Sequence, residues 1–259
     1  MHFIRVGRGA PPLVFVHGFA CSLEDWRAQL EYFQKTNEVI ACDLRGHGET
    51  PGRPHECSIG HYGGDVAALI NHLELSGAIL VGHSMGCRVV LEANRLVPER
   101  IGGIVLVDGS RLGSGDADAA QAAATAAIED AGYRAFAENL FRQMFFKLSA
   151  QADAIVERAL RQSADFGPVL WPNMAHWDAA ELDTALAAVR APLLAIQSTS
   201  RNAQLRRSPL KAGDTSPWLE LLKSKGAEVA IVPGVGHFTQ LEAPAEVNRL
   251  IEEFVAARR

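Results

Sequence analysis

Short apolar runs rich in Val, Ile and Leu recur along the chain and are separated by stretches with helical periodicity. Six runs lack the apolar/polar alternation of a half-buried strand, so we expect strands that are buried on both faces. They are residues 13–17, 39–44, 78–81, 104–108, 193–197 and 228–232. Apolar residues recur at helical spacing in residues 23–33, 59–75, 84–96 and 243–257. This order predicts the α/β class, with a mostly parallel sheet and helices on both faces.

One interval breaks the alternation. More than eighty residues between Asp108 and Pro192 show no convincing strand, and helical periodicity covers 118–130, 133–146, 151–163 and 166–177. Because a crossover between parallel strands needs only one helix, we interpret residues 110–189 as a helical lid. The lid is inserted into a core formed by residues 1–109 and 190–259. Most of its large apolar residues would pack the lid against the core, and some would line a pocket beneath it. The pocket candidates are Phe145, Trp171 and Met174.

Composition and charge narrow the function classes. The 259 residues are 48% apolar and 21% charged, which is typical of a globular chain with a sizeable core. A net charge of −5 argues against nucleic-acid and anionic-membrane partners. No apolar run is long enough for a transmembrane span, and the first residues do not resemble a signal peptide. The four cysteines form no C-x-x-C and no metal-ligand spacing. We therefore expect a cytoplasmic protein without a metal or other cofactor, and its oligomeric state stays open.

A serine lies where a predicted strand meets a predicted helix. The sequence Gly82-His83-Ser84-Met85-Gly86 is a G-x-S-x-G motif between the apolar run 78–81 and the helical stretch that follows. Such a turn strains the serine backbone and lifts its hydroxyl clear of the sheet, and side chains at the glycine positions would clash. The motif predicts that Ser84 is a nucleophile, which needs a base within hydrogen-bond reach. His237 follows the last predicted strand in a glycine-rich loop and is the candidate base.

Several motifs together resemble one family. They are VFVHGFA (14–20), DLRGHGET (43–50), VGHSMG (81–86), ERIGGIVLVD (99–108) and VPGVGHF (232–238). In this order they resemble the α/β-hydrolase superfamily, and specifically an esterase-like serine hydrolase with a helical lid. The resemblance implies that His237 takes the proton of Ser84, and that the backbone N–H groups of Phe19 and Met85 form an oxyanion hole. It also implies a sheet of about seven strands, because residues 1–6 supply only one strand before residue 13 and the first antiparallel strand of the superfamily is then missing.

The position of the acid that would orient His237 departs from the family pattern of a Ser-His-acid triad. Members usually carry Asp shortly after the strand that follows the lid, and here residues 197–203 contain no carboxylate. Asp108, at the end of the strand after the nucleophile helix, resembles the relocated acid of some haloalkane dehalogenases and is the favoured candidate. An Asp at this place could also cap the turn into the lid. Asn202 as a neutral orienting group and Asp214 from the following loop remain alternatives.

The segment 199–214 is unusually basic. It holds Arg201, Arg206, Arg207 and Lys211 and only one carboxylate. Recognition of a carboxylate substrate or a subunit contact would explain this charge, but a solvated loop is the favoured interpretation.

These observations predict a serine hydrolase that cleaves small to medium carboxylic esters through an acyl-enzyme intermediate. Lactones and thioesters remain alternative substrates, and perhydrolysis remains a possible side activity. A second class of function is a nearly inactive ligand-binding or signalling protein on the hydrolase fold, because the usual acid after the lid is absent. The expected partner is a small-molecule ester.

Overall fold

A seven-stranded sheet forms the centre of the protein. The structure, a computed structural model, describes residues 1–147, 149–202 and 206–258. Within these ranges the strands are β1 (Phe3–Val6), β2 (Leu13–Val16), β3 (Val39–Cys42), β4 (Ala78–His83), β5 (Ile101–Val107), β6 (Leu193–Gln197), β7 (Thr199–Arg201), β8 (Arg207–Pro209) and β9 (Glu228–Ile231). The main sheet has the order β1-β3-β2-β4-β5-β6-β9, and β7 pairs with β8 in a separate hairpin.

The sheet is parallel except at one edge. Strand β1 pairs antiparallel with β3, and every other neighbouring pair in the main sheet is parallel. The predicted α/β class and the predicted number of strands are therefore confirmed. Parallel pairing also places the carboxyl ends of β4, β5 and β6 at one edge of the sheet, where ligands bind in open α/β sheets.

Apolar side chains cover both faces of the sheet. In β2, Val14 and Val16 pack into the cluster on one face, and Leu13 and Phe15 pack into the cluster on the other. All four side chains are fully buried. Strands in such a position need apolar residues at successive positions, which explains why the sequence shows continuous runs.

The helices of the described residues flank the sheet or fill the interval after β5. Around the sheet lie α1 (Arg27–Phe33), α2 (Ile59–His72), α3 (Met85–Leu96), α9 (Pro217–Ser224), α10 (Thr239–Glu242) and α11 (Pro244–Ala256); between β5 and β6 lie α4 (Ala117–Ala131), α5 (Tyr133–Arg142), α6 (Ala150–Gln162), α7 (Gly167–Ala180) and α8 (Leu182–Ala187). None of these described helices is long and apolar enough to cross a membrane.

A buried ion pair ties the interval after β5 to helix α3. Arg88 on α3 donates two hydrogen bonds to the carboxylate of Asp178 on α7, at 2.7 and 2.6 Å. Both side chains are almost fully buried. Removing either partner would leave a buried charge without its counter-ion, which typically costs about 3–5 kcal/mol. The ion pair therefore fixes α7 relative to the helix that begins next to Ser84.

Candidate active site

Close backbone packing creates the turn at Ser84. Strand β4 ends at His83 and α3 begins at Met85, so Ser84 alone forms the junction. Its φ of 54° and ψ of −112° are unfavourable for a residue with a side chain, and such a conformation typically costs about 1–3 kcal/mol. A Cβ on Gly82 would lie 2.3 Å from the Gly86 carbonyl oxygen, and one on Gly86 would lie 2.3 Å from that of Val16. Glycine at both positions is therefore a steric requirement of this turn.

His237 lies within hydrogen-bond distance of the candidate nucleophile. Its Nε2 is 2.8 Å from Ser84 Oγ. The loop that carries the imidazole is held at two points: the His237 N–H donates to the Met144 carbonyl at 2.7 Å, and the Gly236 N–H donates to Glu242 at 3.0 Å. The structure thus brings together the nucleophile and base candidates from segments more than 150 residues apart.

Asp108 contacts the opposite nitrogen of the imidazole. His237 Nδ1 lies 2.8 Å from Asp108 Oδ2. The other carboxylate oxygen accepts the backbone N–H groups of Ser198 at 3.2 Å and Thr199 at 3.0 Å. The Thr199 hydroxyl donates to Oδ2 at 2.7 Å. These donors fix the orientation of the carboxylate, which in turn fixes the imidazole with its Nε2 lone pair toward Ser84.

The alternative acids lie elsewhere in the structure. Asp214 accepts the Lys211 N–H at 2.8 Å in an exposed turn. Asn202 Oδ1 accepts the Arg206 N–H at 2.9 Å at the end of the hairpin. Asp108, by contrast, is the carboxylate that the structure pairs with His237.

Phe19 and Met85 are the candidates for the oxyanion hole. Met85 is the first residue of α3, and its N–H has no partner within the helix because the first four N–H groups of a helix have none. Both Met85 and Phe19 line the cavity together with Ser84 and His237. An oxyanion hole requires such donors next to the nucleophile.

The hairpin β7–β8 carries two arginines into this cavity. We expected a solvated loop, and this interpretation is wrong for Arg201 and Arg207, since both line the cavity and the Arg207 side chain is only 4% exposed. Arg207 Nη2 lies 3.3 Å from His237 Nε2, and its Nη1 donates to the Thr199 hydroxyl at 2.7 Å. Arg206, between them in sequence, is exposed. Strands β7 and β8 contain only three residues each, so the sequence offered no periodic signal for this burial.

Burial and positive charge determine the protonation of the site. Burial lowers the pKa of His237 well below 6.5, and three nearby guanidinium groups, above all that of Arg207, lower it further. Burial also raises the pKa of Asp108, while Arg207 and the hydrogen bonds from residues 198 and 199 oppose that rise. Burial lowers the pKa of Arg207 to about 10. At neutral pH the imidazole is therefore uncharged, as a general base must be, and Arg207 is charged.

The cavity at Ser84 is partly open to solvent, and its empty space, with the open part included, is about 380 Å³. Of the three pocket candidates, Trp171 and Met174 line it. Phe145 is not among the described lining residues; its ring stacks on Phe238 instead, with the centroids 5.0 Å apart. Phe238 does line the cavity, so Phe145 lies one layer behind the wall.

His83 is a buried residue whose contact the sequence did not reveal. Its Nε2 lies 2.9 Å from the His237 carbonyl oxygen, and burial lowers its pKa to about 3. A neutral imidazole can donate this hydrogen bond, which links the residue before the nucleophile to the backbone of the base. Nothing in the sequence pairs positions 83 and 237, because the contact depends on how the last loop folds back over the sheet.

Comparison with known proteins identifies the family. The sequence profile of the alpha/beta hydrolase family matches residues 13–250, so the chain belongs to this family. The dihydrolipoyllysine-residue acetyltransferase component of the acetoin cleaving system of Pseudomonas putida is 28% identical, over 96% of this chain and 64% of that protein. The bifunctional esterase/perhydrolase DCH of Acinetobacter calcoaceticus is 42% identical over 80 residues, which are 30% of this chain and 29% of that protein.

A solved structure extends the comparison over almost the whole chain. It is described as an N-acyl homoserine lactone degrading enzyme and superposes with a TM-score of 0.72 at 26% identity, covering 98% of this chain and 96% of that one. The matched parts span less than two thirds of the length of the two curated relatives. The chain is thus an alpha/beta hydrolase with esterase and lactone-degrading relatives.

Proposed function

We propose that this protein is a serine hydrolase that cleaves small to medium carboxylic esters through an acyl-enzyme intermediate. One observation carries the proposal: a continuous contact chain from Ser84 Oγ to His237 Nε2 and from His237 Nδ1 to Asp108 Oδ2, with both distances 2.8 Å. The esterase named among its relatives supports the same reaction class.

The proposed mechanism assigns a step to each group. Ser84 Oγ attacks the ester carbonyl carbon while His237 Nε2 takes its proton. The N–H groups of Phe19 and Met85 stabilise the negative charge on the carbonyl oxygen. When the tetrahedral intermediate collapses, the C–O bond to the alcohol breaks and the imidazolium returns the proton to that oxygen. A water molecule, activated by the same imidazole, then releases the acid and restores Ser84.

In this proposal the helices between β5 and β6 act as a lid over Ser84. Support comes from the cavity itself, since Trp171 and Met174 of α7 line it together with Ser84. The domain division at residues 110–189 remains part of the proposal.

Lactone hydrolysis is the second candidate. It uses the same steps, except that the leaving alcohol stays attached to the acyl group. The structural similarity to an N-acyl homoserine lactone degrading enzyme favours its inclusion.

Turnover of 4-nitrophenyl acetate and butyrate, together with a lactone panel, tests the proposed function. Ser84→Ala should remove the activity, whereas Ser114→Ala is a matched control because Ser114 is exposed. A nearly inactive binding protein would show no multiple turnover with any ester or lactone. Full activity in the Ser84→Ala protein would contradict the assigned nucleophile.

A further inference from the structure

The cavity wall has an unusual charge. Among the described residues that line it are three arginines, Arg88, Arg201 and Arg207, and no carboxylate. Two carboxylates lie just behind the wall: Asp178 is held by Arg88, and Asp108 contacts His237. A cavity lined by several guanidinium groups and by no carboxylate favours an anionic ligand.

Arg207 keeps an unused donor in this buried position. Its Nη1 donates to Thr199, and that nitrogen lies 3.7 Å from Asp108 Oδ2. Its Nε has no hydrogen-bond partner among the described residues, although only 4% of the side chain is exposed. Most buried N–H groups have an acceptor, and an anion bound next to Arg207 would supply one.

Arg201 presents a second guanidinium group from the opposite strand of the hairpin. It stacks on Trp171, with Cζ 5.7 Å from the ring centroid, and both residues line the cavity. Burial, with Arg207 as the next cause, lowers the pKa of Arg201 well below 12.5. Repulsion between two neighbouring guanidinium groups is relieved when an anion binds between them.

The Arg207 guanidinium group also lies next to the candidate base. Its Nη2 lies 3.3 Å from His237 Nε2, the nitrogen that must become positively charged when it takes the proton of Ser84. A positive charge at this distance raises the energy of the imidazolium. A substrate anion bound to Arg207 would offset that charge, so the site is suited to a substrate that brings its own negative charge.

We propose that the substrate carries a carboxylate a few bonds from the scissile ester, and that Arg201 and Arg207 of the β7–β8 hairpin bind this carboxylate. The planar guanidinium group matches a carboxylate with two parallel hydrogen bonds. Both arginines line the same cavity as Ser84, so the carboxylate and the scissile ester would belong to one small molecule. The inference rests on the proposed ester hydrolysis and adds the chemical class of its substrate.

Matched ester pairs test the proposal. For a carboxylate on the alcohol side, 4-acetoxybenzoate is compared with 4-acetoxybenzamide. For a carboxylate on the acyl side, monomethyl glutarate is compared with its neutral amide, methyl 4-carbamoylbutanoate. The wild-type protein should prefer the anionic member of at least one pair by roughly 10- to 100-fold in kcat/KM, the scale of a hydrogen-bonded charge pair. Equal or faster hydrolysis of the neutral member in both pairs would overturn the proposal.

Three variants assign that preference to the hairpin. Arg201→Gln should reduce the ratio of anionic to neutral kcat/KM towards one. Arg201→Lys should keep part of the preference, because lysine keeps the positive charge but lacks the planar guanidinium group that makes two parallel hydrogen bonds. Arg206→Gln removes one charge from the same hairpin at an exposed position and should keep the ratio. An unchanged ratio in Arg201→Gln would show that Arg201 does not select the substrate.

A binding measurement separates this inference from the proposed function. Calorimetry on the Ser84→Ala protein measures the affinity for glutarate and 4-hydroxybenzoate without any chemistry. One of these anions should bind at least roughly tenfold more tightly than its neutral amide, and Arg201→Gln in the same background should abolish the difference. If neither anion is preferred while the wild-type protein hydrolyses neutral esters through Ser84, the substrate inference fails and the proposed function stands. If the anions bind but no ester is cleaved, the carboxylate site stands and the hydrolase assignment fails.

Discussion

The turn at Ser84 and the β7–β8 hairpin both deliver polar groups to one cavity, but different forces hold them there. Contacts between backbone atoms shape the turn: Gly82 and Gly86 approach neighbouring carbonyl oxygens too closely for any side chain. Side-chain charges define the hairpin, where Arg207 is held by Thr199 and by the nearby Asp108 carboxylate. In the proposed function, the turn supplies the nucleophile and the hairpin selects the substrate.

Asp108 lies between these two regions. It directly follows β5 with a φ of 45°, and it contacts the imidazole. It also accepts hydrogen bonds from residues 198 and 199, where the hairpin begins. A carboxylate in this position couples the orientation of His237 to the base of the hairpin. Mutation of Asp108 can test whether the orientation of His237 or the base of the hairpin depends more on this carboxylate.

The largest expected effect is that of Asp108→Asn. The amide cannot accept the Nδ1–H of His237 in the same way and would favour the wrong imidazole tautomer, so kcat should fall by roughly 10⁴-fold. Steady-state kinetics with a short-chain nitrophenyl ester measures the loss. Thermal unfolding is the control, because Asp108 also accepts hydrogen bonds that stabilise the fold.

Asp214→Asn and Asn202→Ala are the matched comparisons for this change. Both residues make hydrogen bonds within the basic segment rather than to His237, so their kcat values should stay close to that of the wild-type protein. If Asp214→Asn abolished activity while Asp108→Asn kept it, the acid would belong to the hairpin region and not to the sheet.

A smaller effect is expected from Arg207→Gln on the pH dependence of kcat/KM. Burial and the charge of Arg207 hold the pKa of His237 well below 6.5. The base must be uncharged, so activity disappears as the pH falls through this pKa. Removing the charge raises the pKa, and the acidic limb of the profile should move to higher pH. A pH profile with a neutral ester provides the measurement.

Arg206→Gln is the control for the Arg207 profile. It removes the same charge from the same hairpin but at an exposed position. Since solvent screens exposed charges, the acidic limb should stay in place. An equal shift in both variants would indicate a general effect of net charge and not a contact at the imidazole.

The smallest effect concerns acyl chain length. The cavity at Ser84 has an apolar part that includes Trp171 and Met174. Acetyl to hexanoyl esters should therefore be better substrates than dodecanoyl esters. Measuring kcat/KM across this series decides the matter, and a steady rise up to the longest chain would contradict an enclosed pocket.

The sequence predicted the parts of the molecule that local rules control. Continuous apolar runs identified the strands of the main sheet, and the G-x-S-x-G motif identified the turn because its glycines are sterically required. The expectation that Asp108 is the acid depended on family resemblance together with the absence of a carboxylate in residues 197–203.

The sequence did not predict the β7–β8 hairpin, because contacts between residues distant in sequence stabilise it. Strands β7 and β8 contain only three residues each, too short for a periodic signal. Their burial depends on Thr199 binding Asp108, ninety-one residues away, and on Arg207 binding Thr199. Helices α8 and α9 were also not predicted; with six and eight residues they are short for detection by periodicity.

The most direct test of the central claim is the site of covalent labelling by a fluorophosphonate. The reagent phosphonylates a serine hydroxyl when an adjacent base activates it, and peptide mass spectrometry locates the adduct. We predict a single stoichiometric adduct on Ser84, a much slower reaction in Asp108→Asn, and no adduct in Ser84→Ala. Stoichiometric labelling of a different serine, or ester turnover without any labelling of Ser84, would contradict the claim that Ser84, His237 and Asp108 form the catalytic centre.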